Sequence, residues 1–266
     1  MRGIASARIW YQSFTDPDAD RPYFTRLGEY LGSVASPGCQ MEVSGIQPGA
    51  RYPHPITEFR CAAHVIANAL TAEQRGYDAF VIGHFQDAGL AEARSAVRIP
   101  VIGLGEATML HACTLGGTIG LVAVNPVFIP YLEDQIARHG LRRRVIAVQA
   151  VQPETGQFNR AFDDEREYAS LREAFTAAAE PMLGLGIDVI IPAGGYPMLL
   201  FSREPSFDIG GATVLNGLPV AVAAAETAVR LSRLNGTSTS RRTAYALPPG
   251  QAVTEFRDAF TTARSE

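Results

Sequence analysis

The stretch IPVIGLGEATMLHACTLGGTIGLVAVNP, residues 99–126, decides the fold. Ile99-Pro-Val-Ile is a short apolar β run, and Gly103 and Gly105 permit a sharp turn after it. Glu106 falls in a first helical turn, where a carboxylate suits the positive end of the helix dipole. Ala107 to Leu115 is apolar and helix-compatible, and Gly116-Gly117 stops it. Thr118 to Val124 is a second buried strand, closed by Asn125-Pro126. Strand, turn, helix and strand make a βαβ unit, whose strand ends are where α/β proteins bind ligands.

The same alternation extends both ways. On the N-terminal side, strands are expected at Arg8 to Gln12, Gln40 to Gly45 and Ala79 to Ile82, with helices over Pro22 to Leu31 and Thr57 to Ala72. In the second helix the apolar spacing runs through Phe59, Cys61, Ala62, Val65 and Leu70. On the C-terminal side, strands are expected at Val145 to Val151, Val189 to Ile191 and Leu218 to Val222, with helices over Tyr168 to Leu183 and from Val222 to about Leu234. The order repeats. Gly76-x-Asp78 leading to His84 lies over Gly186-x-Asp188 leading to Gly194, and Ile99-Pro-Val with Glu106 lies over Leu218-Pro-Val with Glu226. The period of about 110 residues is far longer than a solenoid repeat. An α/β protein of two pseudo-symmetric, three-layer lobes with mostly parallel sheets follows, with a cleft between them. The first lobe takes residues 1–116 plus a crossing helix at 218–235, the second takes 117–217, and a tail covers 236–266, with a short helix near Val253 to Ala263.

Composition narrows the function classes. With 23 Lys and Arg against 27 Asp and Glu, the formal net charge of −4 leaves no footprint for nucleic acid or an anionic membrane. Arg142-Arg-Arg is expected to end a helix. The start, Met1 to Arg8, has no long apolar core, and no window approaches a membrane span. Three cysteines, Cys39, Cys61 and Cys113, without metal-ligand spacing suit a reduced, cytoplasmic protein.

The strand–Gly-Glu-Ala–helix–Gly-Gly–strand pattern resembles the aspartate/glutamate/hydantoin racemase superfamily, nearest its hydantoin racemase branch. The resemblance continues through Tyr131 to Leu141, at Gly76 to Ile82, at Gly186 to Ile191 and at Leu218 to Glu226, and covers roughly residues 7–233. It implies an isomerase that moves a proton next to a carbonyl of a small carboxylate or cyclic amide, needs no cofactor and forms homo-oligomers. The family places one cysteine from each lobe on opposite faces of the stereocentre, two proton carriers of matched pKa. The matching positions here are His84 and Gly194, so a non-cysteine mechanism is implied.

His84 is the expected acid or base, because imidazole titrates near neutrality; a packed core histidine is the competing reading. Asp87 is placed to orient it or to sit solvated in the loop. Gly194 and Gly195 allow a ligand close to the backbone, and Tyr196 is a candidate phenol acid or a rim aromatic. Gln12-Ser13 and Asn125-Pro126-Val127 are the paired strand ends that the resemblance assigns to substrate oxygens, with a helix N-cap as the alternative for Asn125. Glu106 matches the family's glutamate or is a helix-start carboxylate. His54 sits in a loop expected to overhang the site, and with His84 and Glu106 would form the alternative of a metal site. The rival functions are a lyase or ring-opening hydrolase on the same scaffold, and a non-catalytic binder of small molecules.

Overall fold

The computed structural model describes residues 6–261. The first half comprises β1 (Ala7–Gln12), α1 (Arg21–Val34), β2 (Cys39–Ser44), α2 (Pro55–Gln74), β3 (Ala79–Ile82), α3 (Leu90–Ala96), β4 (Val101–Gly103) and α4 (Leu104–Ala112). The second comprises β5 (Ile119–Ala123), α5 (Ile129–Arg138), β6 (Val145–Ala150), α6 (Gln157–Ala161), α7 (Glu165–Leu183), β7 (Val189–Ala193), α8 (Gly195–Leu200), β8 (Asp208–Ile209) and β9 (Ala212–Val214). Two further helices, α9 (Gly217–Asn235) and α10 (Gly250–Thr261), complete the described chain. The reading of Met1 to Arg8 as lacking a leader rests largely on residues outside the described range, as does the end of the tail. Among the described residues no helix is long and apolar enough to cross a membrane.

The strands form two sheets, in the orders β2-β1-β3-β4 and β6-β5-β7-β9-β8. Every pairing is parallel except β8 with β9. The first four positions of each sheet therefore follow one winding, and β8 is an addition to the second. All residues of β3, β5 and β7 are buried, the mark of parallel strands covered by helices on both faces.

The repeated Gly-x-Asp has a physical basis. Gly76 and Gly186 take φ of +73° and +75° after a helix, a conformation that favours glycine. The aspartate two residues on then accepts backbone N–H groups entering the neighbouring strand. Asp78 Oδ2 accepts from Arg8 N at 2.8 Å, and Asp188 Oδ2 accepts from Thr118 N at 3.1 Å.

One element differs from expectation. Leu218 to Val222 is not a strand but the first turns of α9. Asn216 Oδ1 accepts Leu218 N at 3.0 Å and caps the helix, while Pro219 stands in the first turn, where a missing N–H costs nothing. The strand equivalent to β4 is β9, just before it. Glu226 is therefore not the counterpart of Glu106; its carboxylate accepts Ser36 N and Ser36 Oγ, both at 2.7 Å. Helix α9 packs back on the first sheet, against β1, β3 and β4, and against α4.

The glycines of the opening stretch also serve a different purpose. Gly103 has an ordinary φ of −88°. A Cβ there would lie 2.5 Å from Asp87 Cγ, and one at Gly105 would lie 2.0 Å from the Phe85 carbonyl oxygen. Close approach of the 85–87 loop, rather than the turn itself, requires both.

Candidate active site

Parallel strands in each lobe end on the same side of their sheet, and those ends meet. From β3 come Gly83 and His84; from β7 come Gly194, Gly195 and Tyr196; from β1 come Ser13, Phe14 and Thr15. With Tyr23, Phe128 and Phe158 they enclose a cavity of about 170 Å³. His84 and Gly194, the two positions singled out by the repeat, thus line one space.

His84 packs between aromatic rings, its centroid 4.6 Å from Phe14 and 6.2 Å from Phe128. Burial pushes its imidazole down to about 4, so the ring is neutral at physiological pH. Its Nδ1 is buried without a hydrogen-bond partner, and Glu58 Oε2 lies 3.6 Å away. Glu58 was not expected here. It sits on the inward stripe of α2 with Cys61, Val65 and Ala69, all buried, whereas Phe59 is 73% exposed. A carboxylate in register with an apolar stripe was the available signal. Burial pushes this carboxyl up to about 7.

Opposite His84, Gly194 and Gly195 bring backbone alone. A Cβ on Gly195 would lie 3.3 Å from the Tyr23 hydroxyl and 3.4 Å from the Gly83 carbonyl, so the two strand ends nearly touch. Tyr196 lines the cavity and stacks on Tyr23 at 4.2 Å, and its hydroxyl donates to Asp20 Oδ2. Burial first, and the Asp20 contact second, push its phenol well above the ordinary value, which makes it a poor proton donor. Ser13 lines the cavity, its Oγ 3.1 Å from Thr15 Oγ1.

The other expected site residues are engaged elsewhere. Gln12 is fully buried. Its Nε2 donates to Ser13 O at 2.8 Å and Gly45 O at 3.2 Å, and its Oε1 accepts from Trp10 Nε1 and Asn68 Nδ2 at 3.1 and 2.7 Å. It ties β1 to the chain after β2 and has no group turned to the cavity. Asn125 is a cap, accepting Val127 N at 2.9 Å, and Asn125, Pro126 and Val127 stand off the cavity, which Val124 and Phe128 reach instead. His54 is exposed and caps α2, its Nδ1 accepting Ile56 N at 3.3 Å. Glu106 faces Arg94, whose Nη1 donates to Oε1 at 2.9 Å and whose Nη2 donates to Oε2, and His139 Nδ1 lies 3.5 Å from Oε1. Burial raises the Glu106 carboxyl, but the Arg94 hydrogen bonds and charge outweigh it and hold it below its ordinary value. His54, His84 and Glu106 therefore do not converge. Among the described residues, no group of three His, Cys, Asp or Glu side chains is arranged to hold a metal ion.

Asp87 neither orients His84 nor meets solvent. Its carboxyl accepts Gly105 N at 3.0 Å and Glu106 N at 2.7 Å, capping α4 from outside, and accepts Gln135 Nε2 at 2.8 Å. Gln135 also donates to Phe85 O at 2.8 Å, so α5 of the second lobe grips the loop that carries His84.

The arrangement is a two-lobed cleft with a buried imidazole on one side, and relatives share its frame. An allantoin racemase from Klebsiella pneumoniae superposes with a TM-score of 0.75 at 22% identity, covering 91% of this chain and 94% of that one. Hydantoin racemase from Pseudomonas sp. (strain NS671) is 29% identical over 191 residues, 72% of each chain. Hydantoin racemase from Paenarthrobacter aurescens is 28% identical over 211 residues, 77% of this chain and 84% of that one. The Asp/Glu/hydantoin racemase family description matches residues 17–225. With two like-wound lobes and a match over most of its length, the chain belongs to the Asp/Glu/hydantoin racemase family, as a racemase-like isomerase.

Proposed function

We propose that this racemase-like protein moves a proton at the carbon next to a carbonyl of a small, neutral cyclic amide of the hydantoin type, with His84 as the base. The observation that carries the reading is the cavity itself: His84 stands on one side, bare glycine backbone on the other, and among the described residues no Lys or Arg lines it. A free carboxylate would enter this aromatic enclosure without a cation to meet it, at a large desolvation cost. A neutral ring suffers no such cost. The space of about 170 Å³ resembles the roughly 150 Å³ cavity that accepts one benzene, so one ring with a small substituent fits. The names of the hydantoin racemase relatives support the same class.

In this reading His84 Nε2 takes the proton and the substrate oxygen takes the negative charge. The Ser13 and Thr15 hydroxyls and the first-turn N–H groups of α8 are the donors near that oxygen. Gly194 and Gly195 have no proton to return, so delivery to the far face falls to solvent. Tyr196, with its hydroxyl held by Asp20, forms a wall rather than an acid.

The test incubates single enantiomers of 5-methylhydantoin, L-aspartate and L-glutamate with the protein in D₂O. Deuterium is followed by NMR and configuration by chiral chromatography. The reading expects exchange and loss of configuration for the hydantoin alone. Exchange confined to the amino acids would overturn the substrate class, and a ring-opened or decarboxylated product would replace racemisation by the lyase or hydrolase alternative.

A further inference from the structure

We propose that Glu58 is the positioning residue of His84: its carboxylate accepts the Nδ1 proton, turns Nε2 to the cavity as the basic nitrogen, and opposes the positive charge formed when Nε2 takes the substrate proton. The inference rests on the proton-transfer reading for its place in a reaction, but its structural content concerns the free protein.

The local build carries the argument. Pro55 and the His54 cap start α2, which places Glu58 in the first turn. The helix then turns Glu58, Cys61 and Val65 toward the sheet, so Glu58 meets the end of β3 where His84 leaves it. Both side chains are mostly buried, at 10% and 16% exposure. Of the two imidazole nitrogens, Nδ1 is the one withdrawn from solvent and lacking a hydrogen-bond partner, and the Glu58 carboxyl is 3.6 Å from it. Hydrogen bonds of catalytic groups are commonly long without substrate and tighten in the complex. A buried carboxyl on an apolar helix face is costly unless it is paired. His84 is the partner that geometry offers, and a carboxylate at Nδ1 fixes the tautomer that leaves Nε2 unprotonated.

The need is chemical as well. Burial depresses the His84 imidazole, which makes the ring alone a weak base. The other groups that face it do not help. Phe14 and Phe128 carry no charge, and Tyr23 and Tyr196 hold phenols raised by burial. Asp87 spends its carboxyl on α4 and Gln135. Cys61 and Tyr131 lie in the field of Glu58 and are themselves raised, so both stay neutral. Glu58 is thus the anion placed to stabilise an imidazolium at residue 84. When Nε2 takes the substrate proton, the ring becomes a cation whose Nδ1–H points at the Glu58 carboxylate; no proton leaves the pair, and the substrate keeps the electron pair as an enolate.

The experiment labels histidine with ¹⁵N and compares wild type, Glu58→Gln and Glu58→Asp. Wild type is expected to show His84 with Nδ1 protonated and Nε2 unprotonated, and a second step in its ¹⁵N shifts near pH 7, where Glu58 ionises. Glu58→Gln should lose that step and the tautomer preference, and Glu58→Asp should retain both in part. In turnover, Glu58→Gln should lower kcat by about 10²-fold with KM little changed and remove the limb of the pH profile near neutrality. An unaltered tautomer and titration in Glu58→Gln would overturn the proposal. Should the protein leave hydantoins untouched, the proton-transfer reading falls while the NMR comparison still decides the pairing.

Discussion

Replacing Asp87 by Ala tests how the His84 loop is held. The carboxyl accepts Gly105 N, Glu106 N and Gln135 Nε2 at 3.0, 2.7 and 2.8 Å, all in buried or half-buried surroundings. Gln135 keeps Phe85 O as a partner, so two backbone N–H groups at the start of α4 are left without an acceptor. Each such orphan costs about 1–3 kcal/mol. Asp87 also has φ of +53°, which Ala tolerates worse by about 1 kcal/mol. We expect a loss of about 3–7 kcal/mol in urea unfolding, with the m-value unchanged. Asp87→Asn keeps one acceptor oxygen and should lose about half as much. Asp87 N donates to the His84 carbonyl at 3.0 Å, a backbone bond that both variants keep, so the loss is expected in stability rather than in the His84 contact itself. An Ala variant within about 1 kcal/mol of wild type would refute the reasoning, since the helix start would then be satisfied by something other than this carboxyl.

Two further predictions concern thiols and pH. Brief iodoacetamide treatment should leave activity unchanged: burial pushes Cys39 and Cys61 up to about 12, the Cys113 thiol donates to Met109 O at 3.3 Å, and none of the three lines the cavity. Rapid inactivation that substrate prevents would contradict this. The second is that Glu58→Gln gains stability relative to wild type as pH rises. The folded-state carboxyl of Glu58 is raised from 4.5 to about 7, so between those values the folded protein binds more protons than the unfolded chain and raising pH destabilises it. The substitution removes that slope, and parallel unfolding curves from pH 4.5 to 8 for the two proteins would count against a buried Glu58.

The sequence at 99–126 was sufficient for a βαβ unit because runs of Val, Ile and Leu bounded by glycines have one reading when strands are buried on both faces. The same apolar logic misled at Leu218-Pro-Val, whose composition matches Ile99-Pro-Val; the deciding residue was the cap Asn216, two positions earlier. His84 and Gly194 were legible through the repeated Gly-x-Asp, since that motif pins the register of β3 and β7. Glu58 was missed because Phe59, the larger apolar neighbour, was given the inward position on α2 that belongs to Glu58. Polar residues near strand ends were harder still. Gln12, Asn125 and Asp87 carry the groups a substrate needs, but their hydrogen bonds are spent on backbone and on other side chains, and only coordinates show which way they turn. The aromatic walls Phe14, Phe128 and Phe158 come from three separate connections, so no spacing in the chain announces them.

The proposed function stands on His84 as the group that takes the substrate proton. The most direct measurement is the rate of deuterium incorporation at C5 of a single enantiomer of 5-methylhydantoin, in wild type and in His84→Ala, with folding of the variant checked by circular dichroism. Wild type should catalyse the exchange, and His84→Ala should do so about 10²–10⁴-fold more slowly. A folded His84→Ala protein that exchanges at the wild-type rate would contradict it.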